Sequence, residues 1–528
     1  MKNSKGLTRV AIALSLGLVS NLSYAESKIK NVILMIGDGM GPGQMSLLEE
    51  YATKAPNSIY KGRDTAMKTI IDNGALGMSM HSPFNALVVD SAASASHLAT
   101  GVDSPSEGIG IDKDGNPAET VLEIAKKLGK ATGLVSDTRL THATPAAFAA
   151  HQRHRSLENE IAADMLATGP DVMLSGGIRY FIPESVNEKG ALYKQLMEQT
   201  GGTIEIKSKR KDERNLLAEA SDAGYSLAYT RDGLADVEGD KVLGLFAYSG
   251  MQNGITYSQT KDSADRTMPS LKEMTMKALD VLAKDPDGFF LMVEGGQIDW
   301  ASHSNDAGTA LHEMLKFDEA IQYVYDWIKD RDDTLLVVTA DHETGGFGFS
   351  YSRANVPEAK KLSGSTFKDH DYKPNFNFGT LPTLDRLYGQ KESFGDMLAE
   401  FDKTDKTPES LLKIVNASSE FKIDLAQAKK ILETEENKFY DPDNTYLKLK
   451  TFPKVDDFEA FYVYGQDIRG DLIGRELGQE QNIVWGTGTH TNTPVAVVAV
   501  GPKTFSEKFS RLSHHTDIGK LLIEAVEQ

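Results

Sequence analysis

The 528-residue sequence contains no cysteine. Disulfides, thiolate nucleophiles and cysteine metal ligands are therefore all excluded. Positive charge is also scarce: 57 Lys and Arg stand against 76 Asp and Glu, a formal net charge of −19. So acidic a chain has no general electrostatic route to nucleic acid, and nucleic-acid-specific binding is not expected. Long apolar runs are missing beyond the first 25 residues. Within those, Lys2, Lys5 and Arg9 precede the apolar stretch Val10–Val19, and Ser23-Tyr24-Ala25 forms a small-x-small cleavage site. That pattern reads as a secretory signal peptide (1–25), too short in its apolar part to span a bilayer. The expected mature chain, 26–528, is periplasmic or secreted and carries no membrane anchor. Neither a P-loop nor a GxSxG elbow is present.

What the chain does have is a regular alternation. Short β-branched runs occur at Val32–Ile36, Ala86–Val89, Thr132–Ser136, Val172–Leu174, Val242–Phe246, Phe289–Val293, Leu335–Thr339 and Val495–Val500. Amphipathic stretches lie between them, including Glu119–Leu128, Leu157–Ala167, Ser270–Ala283, Ala307–Ile328 and Thr516–Val526. Continuous apolar strands alternating with helices predict an α/β fold: a three-layer sandwich with a mostly parallel sheet covered on both faces. From about 353 to 446 the rhythm fails. That segment is charged and polar, with weak helical stretches at Leu411–Ile414 and Leu425–Glu436, yet it keeps Phe367, Tyr372, Phe376 and Phe378. It reads as a large peripheral insertion, because disordered segments usually lack such aromatics.

In a parallel sheet, function collects at the carboxyl ends of the strands. Asp38 follows the first run and Asp90-Ser91 the second. Thr141-His142-Ala143-Thr144 lies beyond the third. Glu294 closes Phe289–Val293, with Asp299, Trp300 and His303 just after it; Asp341-His342 follows Leu335–Thr339, and His490 precedes the last run. So many carboxylates and imidazoles at strand ends would oppose one another unless a cation neutralised them. His, Asp and Glu without Cys suit zinc in a catalytic site, with an oxygen-rich position nearby suited to magnesium. His312-Glu313 lacks a second His at zinc-protease spacing and reads as a helix-surface pair. His514-His515 reads as the entry to the last helix, and His151 and His154 are given no chemistry.

These residues resemble a known family. IGDGMG, DSAASASHLATG, THATPAAF, EGGQIDWASH, TADHETGG and THT, in that family's order, are similar to the alkaline phosphatases, two-zinc, one-magnesium phosphomonoesterases. The long insertion and the His142/Trp300 pair make the cold-active marine bacterial members the most similar. The resemblance implies hydrolysis of phosphate monoesters at alkaline pH, with Ser91 as the nucleophile that becomes phosphoserine and Arg155 gripping phosphate, Arg153 being the nearby alternative. It implies one zinc on Asp299, His303 and His490, another on Asp38, Asp341 and His342, and magnesium between Asp38, Thr144 and Glu294. It also implies a homodimer, with the insertion reaching onto the partner near the rim of its active site. His142 and Trp300 stand where the enteric bacterial form has Asp and Lys, a difference that bears on magnesium affinity and on the phosphate-water network. Two rival readings remain at this point: a phosphodiesterase of the same superfamily, or a periplasmic metal- or phosphate-binding protein without turnover.

Overall fold

The computed structural model describes residues 28–444, 446–456 and 468–528. The expected signal peptide lies outside the described residues. A ten-stranded sheet organises the chain: β1 (Asn31–Gly37), β2 (Ala75–Met80), β3 (Ala131–Arg139), β4 (Val172–Gly176), β5 (Ser226–Ala228), β6 (Val242–Leu245), β7 (Phe289–Gly295), β8 (Thr334–Thr339), β9 (Val495–Val500) and β10 (Leu512–His514). Their spatial order is β10-β2-β9-β8-β1-β7-β3-β4-β6-β5. β9 runs antiparallel to both of its neighbours, and every other pairing is parallel. The expected α/β class is therefore found.

Alternate side chains of the same strands enter two different cores. Ile33, Met35, Leu291, Val293, Leu336 and Val338 face helices Leu271–Leu282 and Ala307–Ile328. Val32, Leu34, Ile36, Phe290, Met292 and Leu335 face the opposite core, which holds helices Ser91–Thr100, Glu158–Thr168 and His515–Val526. The period of two along each strand thus explains why runs such as Val32–Ile36 are apolar throughout.

Ala86–Val89 is not a strand. Residues 83–89 form turns and bends, with Leu87 79% and Val88 44% exposed. The strand that precedes the Ser91 helix is β2, which sequence reasoning missed because Gly77 and Ser79 dilute its apolar signal. Gly77 is required there: a Cβ would fall 1.9 Å from the Phe509 carbonyl oxygen in the segment leading to β10. β5 and β10 were missed as well, being only three residues long.

The 353–446 segment contains four helices, Pro382–Tyr388, Phe394–Phe401, Pro408–Ser418 and Leu425–Leu432. Their buried faces, including Leu387, Phe394, Leu411, Val415 and Ile431, join the same core as helix Ala307–Ile328. Asp306, which caps that helix, also accepts from the Phe394 amide and the Gln390 side chain at 2.7 and 2.8 Å. The hairpin formed by Lys360–Lys361 and Asp371–Tyr372 stands exposed.

Candidate metal centre and nucleophile

The carboxyl ends of β1, β3, β7 and β8 supply the ligand-type side chains. Asp38 leaves β1 in a turn whose next residue, Gly39, has φ +74°, and a Cβ at Gly39 would sit 2.8 Å from the Asp299 backbone. Only glycine combines that conformation with that approach. Glu294 lies on β7, Asp299 and His303 lie on helix Gln297–His303, and Asp341-His342 follow β8. His490 arrives on the two-residue strand His490–Thr491, paired antiparallel with Glu343–Thr344.

Three groups of donor atoms converge, each within 4.8 Å: Asp299/His303/His490, Asp38/Asp341/His342 and Asp38/His142/Glu294. Asp38 is shared between two of them. The histidine hydrogen bonds favour one tautomer each. His303 Nδ1 lies 2.7 Å from the Gly488 carbonyl and His490 Nδ1 lies 2.8 Å from the Val89 carbonyl, so both Nδ1 atoms carry the proton. Their Nε2 lone pairs then face each other at 3.1 Å with Asp299 Oδ1 beside them at 3.3 and 3.6 Å. Two lone pairs and a carboxylate aimed at one point is a cation-ligand arrangement. His342 likewise turns Nε2 to within 3.5 Å of Asp38 Oδ1 and 3.2 Å of Asp341 Oδ2.

The electrostatics agree. Burial, then Asp341, Asp299 and Glu294, push the Asp38 carboxyl well above its usual range. Burial and Asp299 raise Asp341 to about 8. Burial raises the Asp299 carboxyl, but the surrounding imidazoles and the Thr344 hydroxyl, which donates to Oδ1 at 2.6 Å, together hold it below its usual value. Both Asp38 oxygens, Asp341 Oδ2, Glu294 Oε1 and Thr144 Oγ1 are buried without a hydrogen-bond partner. Orphaned acceptors at this density are costly, and bound cations would satisfy them. The donor set, with three histidines around two groups and mainly oxygen around the third, fits zinc at the first two and a harder ion at the third.

Ser91 is the first residue of helix Ser91–Thr100 and is 2% exposed. Its Oγ lies 3.2 Å from His342 Nε2, at the edge of the Asp38/Asp341/His342 group. Asp90 caps the helix by accepting from the Ala92 and Ala93 amides at 3.1 and 3.3 Å, and it also accepts from the Glu107 amide at 2.8 Å. Arg155 donates from Nη1 to Asp90 Oδ2 at 3.0 Å and from Nη2 to His142 Nε2 at 3.3 Å. Burial raises the Asp90 carboxyl, but Arg155 and these amides more than reverse that and keep it ionised. Arg153, the alternative, is exposed. The small residues after Ser91 allow close packing: helix His515–Val526 approaches so tightly that a Cβ at Gly519 would meet the His97 carbonyl at 2.4 Å. Ser94 and Ser96 are tied to the Asp341 and Gly108 carbonyls at 2.7 and 3.2 Å.

Trp300 presents its ring to His142 at 5.9 Å, edge-on, and rests on Gly250, where a Cβ would fall 2.4 Å from the ring. His142 lies beside Asp38 and Glu294, the neighbourhood that its place beyond the third strand run suggested, with Nε2 engaged by Arg155. His514 caps the last helix, as expected. His312-Glu313 is not a surface pair: His312 is 3% and Glu313 1% exposed. His312 bonds the Ser258 hydroxyl and the Tyr388 carbonyl, while Glu313 pairs with the buried Lys316. The helix carrying them is covered on two sides, by the sheet and by the 382–432 helices, so its polar residues are interior.

The comparisons with known proteins follow the same lines. The sequence model of the alkaline phosphatase family matches residues 29–528. Alkaline phosphatase 3 of Bacillus subtilis is 33% identical over 531 residues, covering 98% of this chain and 94% of its own. The crystal structure of Thermus thermophilus alkaline phosphatase superposes with TM-score 0.74 at 25% identity, covering 97% of this chain and 95% of its own. A cold-active alkaline phosphatase from a Shewanella species gives 0.67 at 27% identity, covering 94% and 100%. The chain belongs to the alkaline phosphatase family of metal-dependent phosphomonoesterases.

Proposed function

We propose that the chain hydrolyses phosphate monoesters at alkaline pH through a covalent phosphoserine on Ser91, beside two zinc ions and one magnesium ion per subunit. The observation that carries the reading is the placement of Ser91 Oγ 3.2 Å from His342 Nε2, at a helix N-terminus and beside the converging carboxylates. The Arg155 fork binds two nonbridging oxygens of the phosphate dianion, and the first amides of the helix favour the same charge. Asp90, ionised, holds that fork in place. Ser91 Oγ gives up its proton and attacks phosphorus in line; the Oγ–P bond forms as the bond to the ester oxygen breaks, and that proton is returned to the leaving oxygen, which departs as the alcohol. Water then cleaves phosphoserine in a second in-line displacement, so phosphorus retains its configuration overall. When bound, the cations neutralise the clustered carboxylates and supply Lewis-acid stabilisation to the oxygens of both displacements. Asp299, His303 and His490 would hold one zinc, Asp38, Asp341 and His342 the other, and Asp38, Glu294 and Thr144 the magnesium, with His142 beside them, its Nε2 accepting from Arg155 and its Nδ1 facing Glu294.

Three measurements test this together. Ion content is determined on active protein while p-nitrophenyl phosphate turnover is followed with and without a chelator, and the phosphorylated peptide is identified by mass spectrometry. Phosphoserine at any residue other than 91, or turnover unaffected by metal removal, refutes the mechanism. A homodimer and a periplasmic or secreted location belong to the same proposal. The 1–25 pattern supports export, and no helix among the described residues is long and apolar enough to cross a membrane. Tyr351, Phe367 and Phe378, at 59, 63 and 65% exposure in and beside the 353–446 segment, support a partner subunit packing there. Sedimentation of a variant lacking only 357–380 checks it: an unchanged dimer removes the arm from the interface.

A further inference from the structure

Lys316 is 4% exposed, and its ammonium lies 3.0 Å from Asp137 Oδ2 and 2.5 Å from Glu313 Oε2. None of the three residues belongs to a donor group or touches Ser91 or Arg155. Each of the two acids also accepts from a backbone amide outside the triad. Asp137 Oδ1 accepts from the Gly296 amide at 2.7 Å, and its carbonyl accepts from Gln297 Nε2 at 2.8 Å, which fixes the turn immediately after Glu294. Glu313 Oε1 accepts at 2.5 Å from the amide of Gly254, in the segment that follows Gly250 beneath Trp300.

The position of Asp137 on β3 gives the triad its leverage. Successive strand residues point to opposite faces, so Ser136 and Thr138 face away from Lys316. Both of their hydroxyls donate to Glu294 Oε2, the Thr138 bond measuring 3.2 Å. Ser136 is also the direct register partner of Glu294 across β3 and β7. A single strand end therefore carries the anchor to the buried cation on one side and the cradle of the Glu294 carboxylate on the other. The histidines of the remaining groups are pinned elsewhere, by the Gly488 and Val89 carbonyls and the Thr344 hydroxyl.

We infer that Lys316 is a positioning residue for the Asp38/His142/Glu294 group: through Asp137 it fixes the strand end and turn that orient Glu294, and so sets how tightly that third site holds its ion. The inference rests on the proposed three-ion reading. It is tested on the full chain, stripped with chelator, refilled with zinc and titrated with magnesium, with bound ions counted by mass spectrometry after dialysis. Two variants are used: Asp137→Asn, which keeps an acceptor for the Gly296 amide but loses the charge on Lys316, and the neutral triad Asp137→Asn/Lys316→Met/Glu313→Gln. Both are expected to fold, by circular dichroism, and to retain two zinc ions while the magnesium dissociation constant rises tenfold or more. A dissociation constant within twofold of the parent in either folded variant overturns the inference. So does parallel loss of all three ions, which would mark the triad as general support for the fold. If the parent itself binds only two ions, the three-ion reading fails, and that result is distinct from both.

Discussion

Replacing Asp90 separates two jobs that one carboxylate performs. Asp90→Ala removes the N-cap of the Ser91 helix, the bond from the Glu107 amide and the partner of Arg155. A lost cap costs about 1 kcal/mol, and a lost hydrogen bond to a charged group about 1.5–3 kcal/mol. The Arg155 side chain is 24% exposed and Asp90 19%, so solvent screening discounts the pair. The expected total is about 2–4 kcal/mol, which in a chain of this length lowers the unfolding midpoint by only about 2–4 °C. Asp90→Asn keeps an oxygen for the cap and the Glu107 amide but gives up the charge on Arg155. It should cost about 1 kcal/mol or less in stability while weakening phosphate binding about five- to tenfold, the loss of one oriented charge-assisted contact. Because the Asp90 carboxyl is depressed in the folded chain, its contribution is fully present above the ordinary carboxylate range and is lost only as pH falls through the folded value. The comparison therefore holds from about pH 5 to 9. Urea unfolding and the phosphate inhibition constant, measured on both variants, decide it. An Asn variant inhibited by phosphate like the parent, or an Ala variant of parental stability, refutes the reasoning.

Ser91→Ala should abolish the phosphopeptide with ion content and unfolding unchanged; persistence of a phosphoserine intermediate would sink the assignment. His303→Ala and His490→Ala should each lower zinc content and slow poor leaving groups more than good ones, and a flat leaving-group dependence counts against Asp299/His303/His490 as the leaving-oxygen side. Arg155→Lys should weaken phosphate binding at least tenfold because a point charge cannot replace a two-pronged contact; the same loss from Arg153→Lys instead would exchange their roles. Burial lowers His312 to about 4 and His97 to about 3. Each contributes stability that is present above about pH 6.5 and lost as pH falls toward those values. Urea midpoints should therefore fall between pH 7 and 5, with His312→Gln reducing the slope; an unaltered slope rejects the contribution.

The sheet was legible where strands are buried on both faces. Val32–Ile36, Phe289–Val293 and Leu335–Thr339 lie within β1, β7 and β8, and Ala307–Ile328 matches its helix end to end. Reading the residue after each run then found Asp38, Glu294 and Asp341-His342. β2, β5 and β10 escaped because glycine, shortness or an edge position weakens the apolar run. Ala86–Val89 misled because a short apolar stretch looks the same whether a neighbouring strand receives it or not. Strand-end position alone lists the ligand-type residues without dividing them into groups; the division came from the family resemblance, and the proximity of His142 to Asp38 and Glu294 arises through tertiary contact. The interior placement of His312, Glu313 and Lys316 was equally hidden: it depends on tertiary partners, Tyr388 over His312, Gly254 against Glu313 and Asp137 against Lys316.

The place of β9 in the sheet has a consequence for how the protein is made. It is among the last strands synthesised, yet it lies inside the sheet, between β8 and β2, and β2 has no other neighbour until β10 follows. The short strand that delivers His490 comes just before it. A growing chain therefore carries an open gap until roughly its last thirty residues emerge, with an unpaired edge of β8 on one side and of β2 on the other. Every chain terminated before His490 shares that gap and lacks one of the clustered side chains. Catalytic competence and a closed sheet arrive in the same late event, so unfinished chains are at once inert and prone to aggregate, the form in which quality-control proteases can recognise them.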